Sequence, residues 1–274
     1  FPFSKWLPKN KSDPKAVLIG IHGFSGAASD FNNLGTYLSN QNISLYAYEL
    51  RGQGNDPDQS RVGDIASVEH WYKDLNSFIK KVHKETGDAP IFLYGESLGS
   101  LIIMHGNSYL DESIQETIKG VIYASPLIAL PGELPPVKNF IVRLAMFLFP
   151  KMKISIKSLA SNQNAQVTSE TDHWEQMAKT PHFVPKYTLR TLGSIEDLVY
   201  SSKEVAPIIT KPTLILYPGK DVFTRPDQVD QFFGNLKSKD KKKHLFKESH
   251  HLLAFDKEKE RLFEIVEQWI NKRL

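Results

Sequence analysis

Hydrophobic positions along this chain come in two rhythms. Val17-Leu18-Ile19-Gly20-Ile21, Ser44 to Leu50, Ile91-Phe92-Leu93-Tyr94, Gly120 to Ala124, Thr213 to Tyr217 and Lys243 to Phe246 are short apolar runs that predict strands. The first of these has no polar face, which suits a strand covered on both sides of a sheet. Other stretches carry apolar residues at helical spacing. Residues 29–40 place Phe31, Leu34, Tyr37 and Leu38 on one face, with Ser29 or Asp30 as the expected N-cap. Val68 to Val82 carries a stripe of Trp71, Leu75, Phe78, Ile79 and Val82, and Gly87-Asp88 should stop it. A further helical stretch begins after Gly99. Asp256 to Asn271 closes the chain with Leu262, Ile265, Val266, Trp269 and Ile270 facing inward. Strands alternating with helices predict an α/β fold, a mostly parallel central sheet with helices on both faces. Reactive groups in such sheets gather at the carboxyl ends of the strands.

The alternation fails between Pro126 and about Lys203. That stretch holds Pro131, Pro135, Pro136, Pro150, Pro181 and Pro185. It is expected to be an inserted cap at 126–203, leaving a core of 1–125 and 204–274; the alternative is a helical part of the same core. Within it, Val137, Phe140, Ile141, Leu144 and Leu148 share a helical face. Val142, Met146, Phe147 and Phe149 fall outside it, so the helix is apolar on more than one side. Lys138, Arg143, Lys151 and Lys153 flank it. This helix is expected to bind substrate through Phe140, Leu144 and Phe147, lining an acyl pocket, and to touch a lipid surface transiently. A helix buried between cap and core is the competing expectation.

Composition narrows the classes. The chain has 274 residues, 41% hydrophobic and 24% charged, with a formal charge of +3. Those are globular values, and the charge is far from the footprint of a nucleic-acid binder, so no nucleic-acid partner is expected. The basic run from Lys237 to Lys243 reads as a solvated loop. The absence of cysteine excludes a disulfide scaffold, a thiolate zinc site and a cysteine nucleophile. No apolar run is long enough for a transmembrane helix. A chain starting at Phe1 suggests an upstream segment has been removed, which fits a soluble protein, cytoplasmic or secreted.

Gly95-Glu96-Ser97-Leu98-Gly99 fits the pattern G-x-S-x-G between an apolar strand and a helical stretch, the setting of a nucleophile elbow. The turn is sharp and its backbone strained, so a Cβ at either flank would clash. Its product is a hydroxyl at a helix N-terminus, where developing negative charge is favoured. A serine hydroxyl also needs a base, and the base an orienting carboxylate. With this elbow the chain order is serine, acid, histidine. Asp221 follows the strand Thr213 to Tyr217, and His250 and His251 follow the last strand; Asp197 is a weaker acid candidate. The backbone N–H groups of Phe24 and Leu98 are expected to form the oxyanion hole. His22 precedes Ser97 and reads as a structural hydrogen-bonding residue. No metal is expected, because His22, His70, His83, His105, His173, His182 and His244 show no ligand spacing. Phosphate-loop and dinucleotide patterns are absent too.

His22-Gly23-Phe24, Arg51-Gly52-Gln53-Gly54, Gly95-Glu96-Ser97-Leu98-Gly99, Pro218-Gly219-Lys220-Asp221 and His251-Leu252-Leu253 together resemble the monoacylglycerol lipase and lysophospholipase branch of the α/β hydrolases, which includes bacterial carboxylesterases. The resemblance covers most of 16–125 and 205–272 and is weak in the expected cap. It departs after the second strand, where Glu49, Gln53 and Asp56 stand in place of the usual Asp, His and Ser. It implies an α/β-hydrolase fold and a cofactor-free serine carboxylic ester hydrolase, with Ser97, Asp221 and His251 as triad. The resemblance favours His251 over His250, because the base in that branch is usually followed by two apolar residues. The substrate would be a monoacylglycerol, lysophospholipid or simple acyl ester. A peptidase, a carbon–carbon bond hydrolase and a non-catalytic ligand-binding protein on the same fold are the alternatives.

Overall fold

The computed structural model describes residues 2–9, 13–130, 135–156, 167–170, 173, 175 and 182–274. The expected cap therefore lies partly outside the described residues, including Pro131 and Pro181.

Among the described residues, seven strands form the central sheet. They are β1 (Phe3–Trp6), β2 (Ala16–Ile21), β3 (Ile43–Tyr48), β4 (Ile91–Glu96), β5 (Ile118–Ala124), β8 (Thr213–Pro218) and β9 (Lys241–Phe246), in the order β1-β3-β2-β4-β5-β8-β9. Only β1 runs antiparallel to its neighbour. β6 (Lys153–Ser155) and β7 (Lys186–Thr188) form a separate antiparallel pair. The described helices are α1 (Asn32–Ser39), α2 (Glu69–Thr86), α3 (Leu98–Gly106), α4 (Glu112–Thr117), α5 (Pro136–Leu148), α6 (Leu189–Val205), α7 (Pro226–Asn235) and α8 (Lys259–Asn271).

Side chains alternate across each strand, so one strand serves two cores. Val17, Ile19 and Ile21 of β2 join Trp71, Leu75 and Phe78 of α2 and Leu98, Leu101 and Ile102 of α3. Ala16 and Leu18 join Leu34 and Leu38 of α1 and Leu262, Val266 and Trp269 of α8 on the other face. Gly87 ends α2 at φ +63°, where an L side chain would be strained. The chain runs from β2 to β3 on one side, then returns to β4 on the other side of β2. The carboxyl ends of β2 and β4 therefore open into the crevice left where the winding reverses.

Several expectations change. β1 has no counterpart in the apolar pattern: it is a short edge strand that packs Phe3 on Phe78, with ring centroids 5.7 Å apart. The stretch after Ile21 begins as a 3-10 turn, Ala28–Phe31, and Asp30 does not cap α1; its Oδ2 accepts the Ala27 N–H at 2.9 Å. Lys241 and Lys242, expected in a solvated loop, belong to β9, which starts two residues before the expected Lys243. That strand is a sheet edge, where lysines discourage pairing with another chain. The helix α6 crosses the expected cap boundary at 203 and gives Ile195, Leu198 and Val199 to the α2–α3 core.

Candidate active site

Ser97 stands between β4 and α3 at φ +53°, ψ −114°. The flanking glycines explain how the chain holds that angle. A Cβ on Gly95 would come within 2.6 Å of the Gly99 carbonyl, and one on Gly99 within 2.0 Å of the Ile21 carbonyl oxygen. Both positions therefore require glycine on contact grounds, as the motif predicts. Leu98 is the first residue of α3, and a helix offers its first amides no internal partner. The Gly23-Phe24 turn after β2 lies against the serine: a Cβ on Gly23 would sit 3.2 Å from the Ser97 Cβ and 3.8 Å from its Oγ. The two amides expected to hold an oxyanion thus belong to turns in contact at the crevice.

Asp221 and His251 come together from two strand ends. The His251 Nδ1 lies 3.0 and 3.1 Å from the two Asp221 carboxylate oxygens, and both side chains are almost fully buried. Asp221 Oδ1 also accepts the Phe223 N–H at 2.9 Å, and the Phe223 ring meets the imidazole edge-on at 4.7 Å. Burial opposes protonation of His251, but the Asp221 charge and hydrogen bond, with the Glu96 charge, outweigh it and hold the imidazole above its ordinary value. His250 is committed elsewhere: its ring Nδ1 and backbone N–H both donate to Asp256 Oδ2, at 2.9 and 2.8 Å. Asp197 lies on α6 and pairs with Arg143, away from this group.

Backbone bonds lace these strand ends together. The Ser97 N–H donates to the Ala124 carbonyl (3.0 Å), and the Ser125 N–H to that of Leu216 (2.8 Å). The Ser125 hydroxyl donates to the His251 carbonyl at 2.6 Å. Ser125 sits at φ +44°, a second strained serine one strand over. Among the described residues, no hydrogen bond joins the Ser97 hydroxyl to the His251 ring.

His22 has the structural part expected of it. Its Nδ1–H donates to the Gly23 carbonyl (2.9 Å), its Nε2 accepts the Leu50 N–H (3.0 Å), and burial lowers its pKa so that it stays neutral. Gln53 was legible only as a departure from the family pattern, and it proves to be a clamp. Its Oε1 accepts the Ser25 N–H (2.9 Å) and the Tyr187 hydroxyl (2.6 Å), and Tyr187 packs on Phe24 at 4.1 Å. Asp56 shapes the same loop, accepting the Gly52 N–H and both arms of Arg61. Glu96 had no sequence signal beyond the variable position of the motif. Burial and the Asp30 charge push its carboxyl up to about 7, although His251 and His173 pull the other way.

The substrate-binding expectation for α5 meets a different geometry. Phe140 is 68% exposed, Leu144 43% and Phe147 81%. None of its residues is buried, so a helix sandwiched between cap and core is ruled out. The contact face is the smaller one: Val142, Ala145 and Met146 are half-buried. A Cβ on Gly193 of α6 would meet the Met146 sulfur at 2.8 Å. Periodicity gave two apolar faces, and the glycine opposite decided which one packs.

Comparison with known proteins gives a family and a fold. Residues 12–258 match the family described as serine aminopeptidase, S33. A Bacillus subtilis carboxylesterase is 22% identical over 263 residues, 96% of this chain and 94% of that protein. A Rattus norvegicus monoglyceride lipase is 23% identical over 252 residues, 90% of this chain and 78% of that one. Two longer relatives, from Schizosaccharomyces pombe and Dictyostelium discoideum, are 24% and 26% identical, and the chain spans 65% and 27% of their lengths. The crystal structure of a Paleococcus ferrophilus monoacylglycerol lipase superposes with a TM-score of 0.81 at 21% identity, covering 100% of this chain and 99% of that one.

Proposed function

The chain belongs to the serine aminopeptidase S33 family of α/β hydrolases, and from that premise we propose that it is a serine carboxylic ester hydrolase with Ser97, His251 and Asp221 as its triad. The observation that carries the proposal is the buried Asp221–His251 pair at the sheet edge where Ser97 occupies a strained turn. The names of the carboxylesterase and monoglyceride lipase relatives support esters as the substrate class.

In this mechanism the Ser97 hydroxyl turns toward His251, gives up its proton to the free ring nitrogen and attacks the ester carbonyl. Such contacts tighten when substrate binds. The tetrahedral oxyanion is held by the Phe24 and Leu98 amides. His251 returns the proton to the departing alkoxide, leaving an acyl group on Ser97. Water attacks that acyl group with His251 again as base, freeing the acid and the hydroxyl. Asp221 keeps the proton on Nδ1 and offsets the imidazolium charge. No cofactor enters this sequence of steps.

The part of 126–203 that precedes α6 acts in this reading as a cap whose helix α5 meets the substrate's own phase. Val137, Phe140, Ile141, Phe147, Leu148 and Phe149 form a patch of exposed apolar side chains, which suits contact with lipid esters at a membrane surface. No described helix is long and apolar enough to span a membrane.

The family description favours a peptidase as a second reading, so the test carries both substrates. A panel of monoacyl esters of varied chain length and of aminoacyl amides is run on the wild type and on Ser97→Ala. Ester turnover that Ser97→Ala abolishes supports the proposal; amide turnover without ester turnover overturns it. Phe147→Ser with Phe149→Ser should lower vesicle binding and activity on long-chain esters. If both stay unchanged, α5 has no lipid role.

A further inference from the structure

Beside the proposed active site the fold assembles a group that no spacing along the chain announces. Asp30 comes from the turn after β2; His173 and His182 come from the segment between β5 and β8, about 150 residues away. All are buried, and their candidate ligand atoms lie within 4.8 Å of one another. The Nε2 atoms of both histidines converge on one oxygen: His173 is 3.8 Å and His182 3.6 Å from Asp30 Oδ1.

We propose that Asp30, His173 and His182 form a binding site for a divalent transition-metal ion, zinc by preference, that links the two histidines to the core beside Ser97. Two imidazole nitrogens and one carboxylate oxygen are a donor set that suits zinc and, with one position left for water, matches its usual coordination number. Bonds of about 2.1 Å at tetrahedral angles put ligand atoms about 3.4 Å apart. The two histidine–aspartate separations need to close only slightly to reach that spacing.

The surroundings position each donor. Asp30 Oδ2 accepts the Ala27 N–H, and Oδ1 is the oxygen nearest both Nε2 atoms, with His173 already hydrogen-bonded to the carboxylate. His173 rests edge-on against the Phe255 ring at 5.0 Å. The backbone at His182 is pressed on Gly54, where a Cβ would come 1.7 Å from the His182 carbonyl oxygen. His22 is near, but its two nitrogens already bond to Gly23 and Leu50, so it is not a fourth ligand. The carboxylate of Glu96, adjacent to Ser97, lies close enough to the group to feel the charges of Asp30 and His173. It would help offset the charge that the single aspartate leaves on a divalent ion. The earlier expectation of no metal rested on spacing along the chain, which says nothing about ligands that meet only after folding.

The site does not depend on the ester-hydrolase reading, because the ion takes no part in acyl transfer. The test uses the full chain, stripped with a chelator, dialysed and titrated with zinc chloride. One zinc ion should bind per chain, and a hundredfold excess over Kd should raise Tm by about 5 °C. Cobalt loading should give the visible bands of a tetrahedral nitrogen–oxygen site. His173→Gln and His182→Gln should each weaken zinc binding by about 100-fold. Binding that is unchanged in both variants, placing the ion elsewhere, overturns the proposal. So does the absence of a stoichiometric ion, Tm shift and cobalt spectrum in the wild type. Should either variant fail to fold, the wild-type stoichiometry and spectrum decide alone.

Discussion

Two histidine–aspartate pairs stand side by side at the carboxyl edge of the sheet, and they differ in reach. His250 pairs with Asp256, six residues on, and the same carboxylate accepts the His250 N–H, the Lys257 N–H and the Ser169 hydroxyl. The histidine and aspartate of that pair close a short loop, which Ser169 ties to the segment before β8. His251 pairs with Asp221, which stands after β8, and its own backbone carbonyl is held by Ser125 after β5. This pair ties three strand ends into one frame. The chemistry of an imidazole on a carboxylate is the same in both. What differs is that the local pair orders the chain, while the long-range pair carries its imidazole to the edge where Ser97 lies.

The largest break in that contrast should come from the long-range pair. On the proposed mechanism, His251→Ala lowers kcat/KM for an ester by about 10,000-fold, and Asp221→Asn by about 1,000-fold or more, with the fold retained by circular dichroism. A loss below about tenfold in both would remove His251 as the base.

The pH profile sharpens the same contrast. A base works when neutral, so activity should rise with pH through the His251 pKa. That pKa is held above the ordinary imidazole value by Asp221 and Glu96 in spite of burial, so the acid limb should fall above about pH 6.5. Asp221→Asn removes the charge that supports the imidazolium, and the limb should move to lower pH in whatever activity remains. A limb that stays in place would mean another group titrates there.

The smallest effects on turnover should come from the local pair. Asp256→Asn should cost about 3 kcal/mol of stability in denaturant unfolding, since it disturbs a fully buried carboxylate with several donors. His250→Gln should leave kcat/KM within about tenfold of the wild type. A loss from His250→Gln as large as that from His251→Ala would erase the distinction between the pairs.

Much of this arrangement was legible along the chain because it is local. Apolar runs gave β2, β3, β4, β5 and β8, since a strand covered on both faces must be apolar on both, while only the Lys243–Phe246 end of the edge strand β9 was marked. Gly95-Glu96-Ser97-Leu98-Gly99 announced the elbow, since contacts under 3 Å leave no room there for a side chain. Asp221 and His251 follow two of the strands that the apolar pattern predicted, β8 and β9. The edge strand Phe3–Trp6 escaped because half-buried edge residues carry no continuous apolar signal.

Everything that depends on convergence was left to the tertiary structure. The resemblance favoured His251 over the adjacent His250, but which carboxylate each of them meets, Asp221 or Asp256, came only with the fold. The helix α5 had two apolar faces, and Gly193, reaching it from α6, chose the one that packs. Asp30, His173 and His182 have no common spacing and meet only in the folded chain. The sequence by itself determined the elements, the elbow and the residue types of the site, because steric and hydrophobic requirements act between near neighbours. Which partner each polar group finds was decided by tertiary structure, because that depends on distances across the sheet that no local rule encodes.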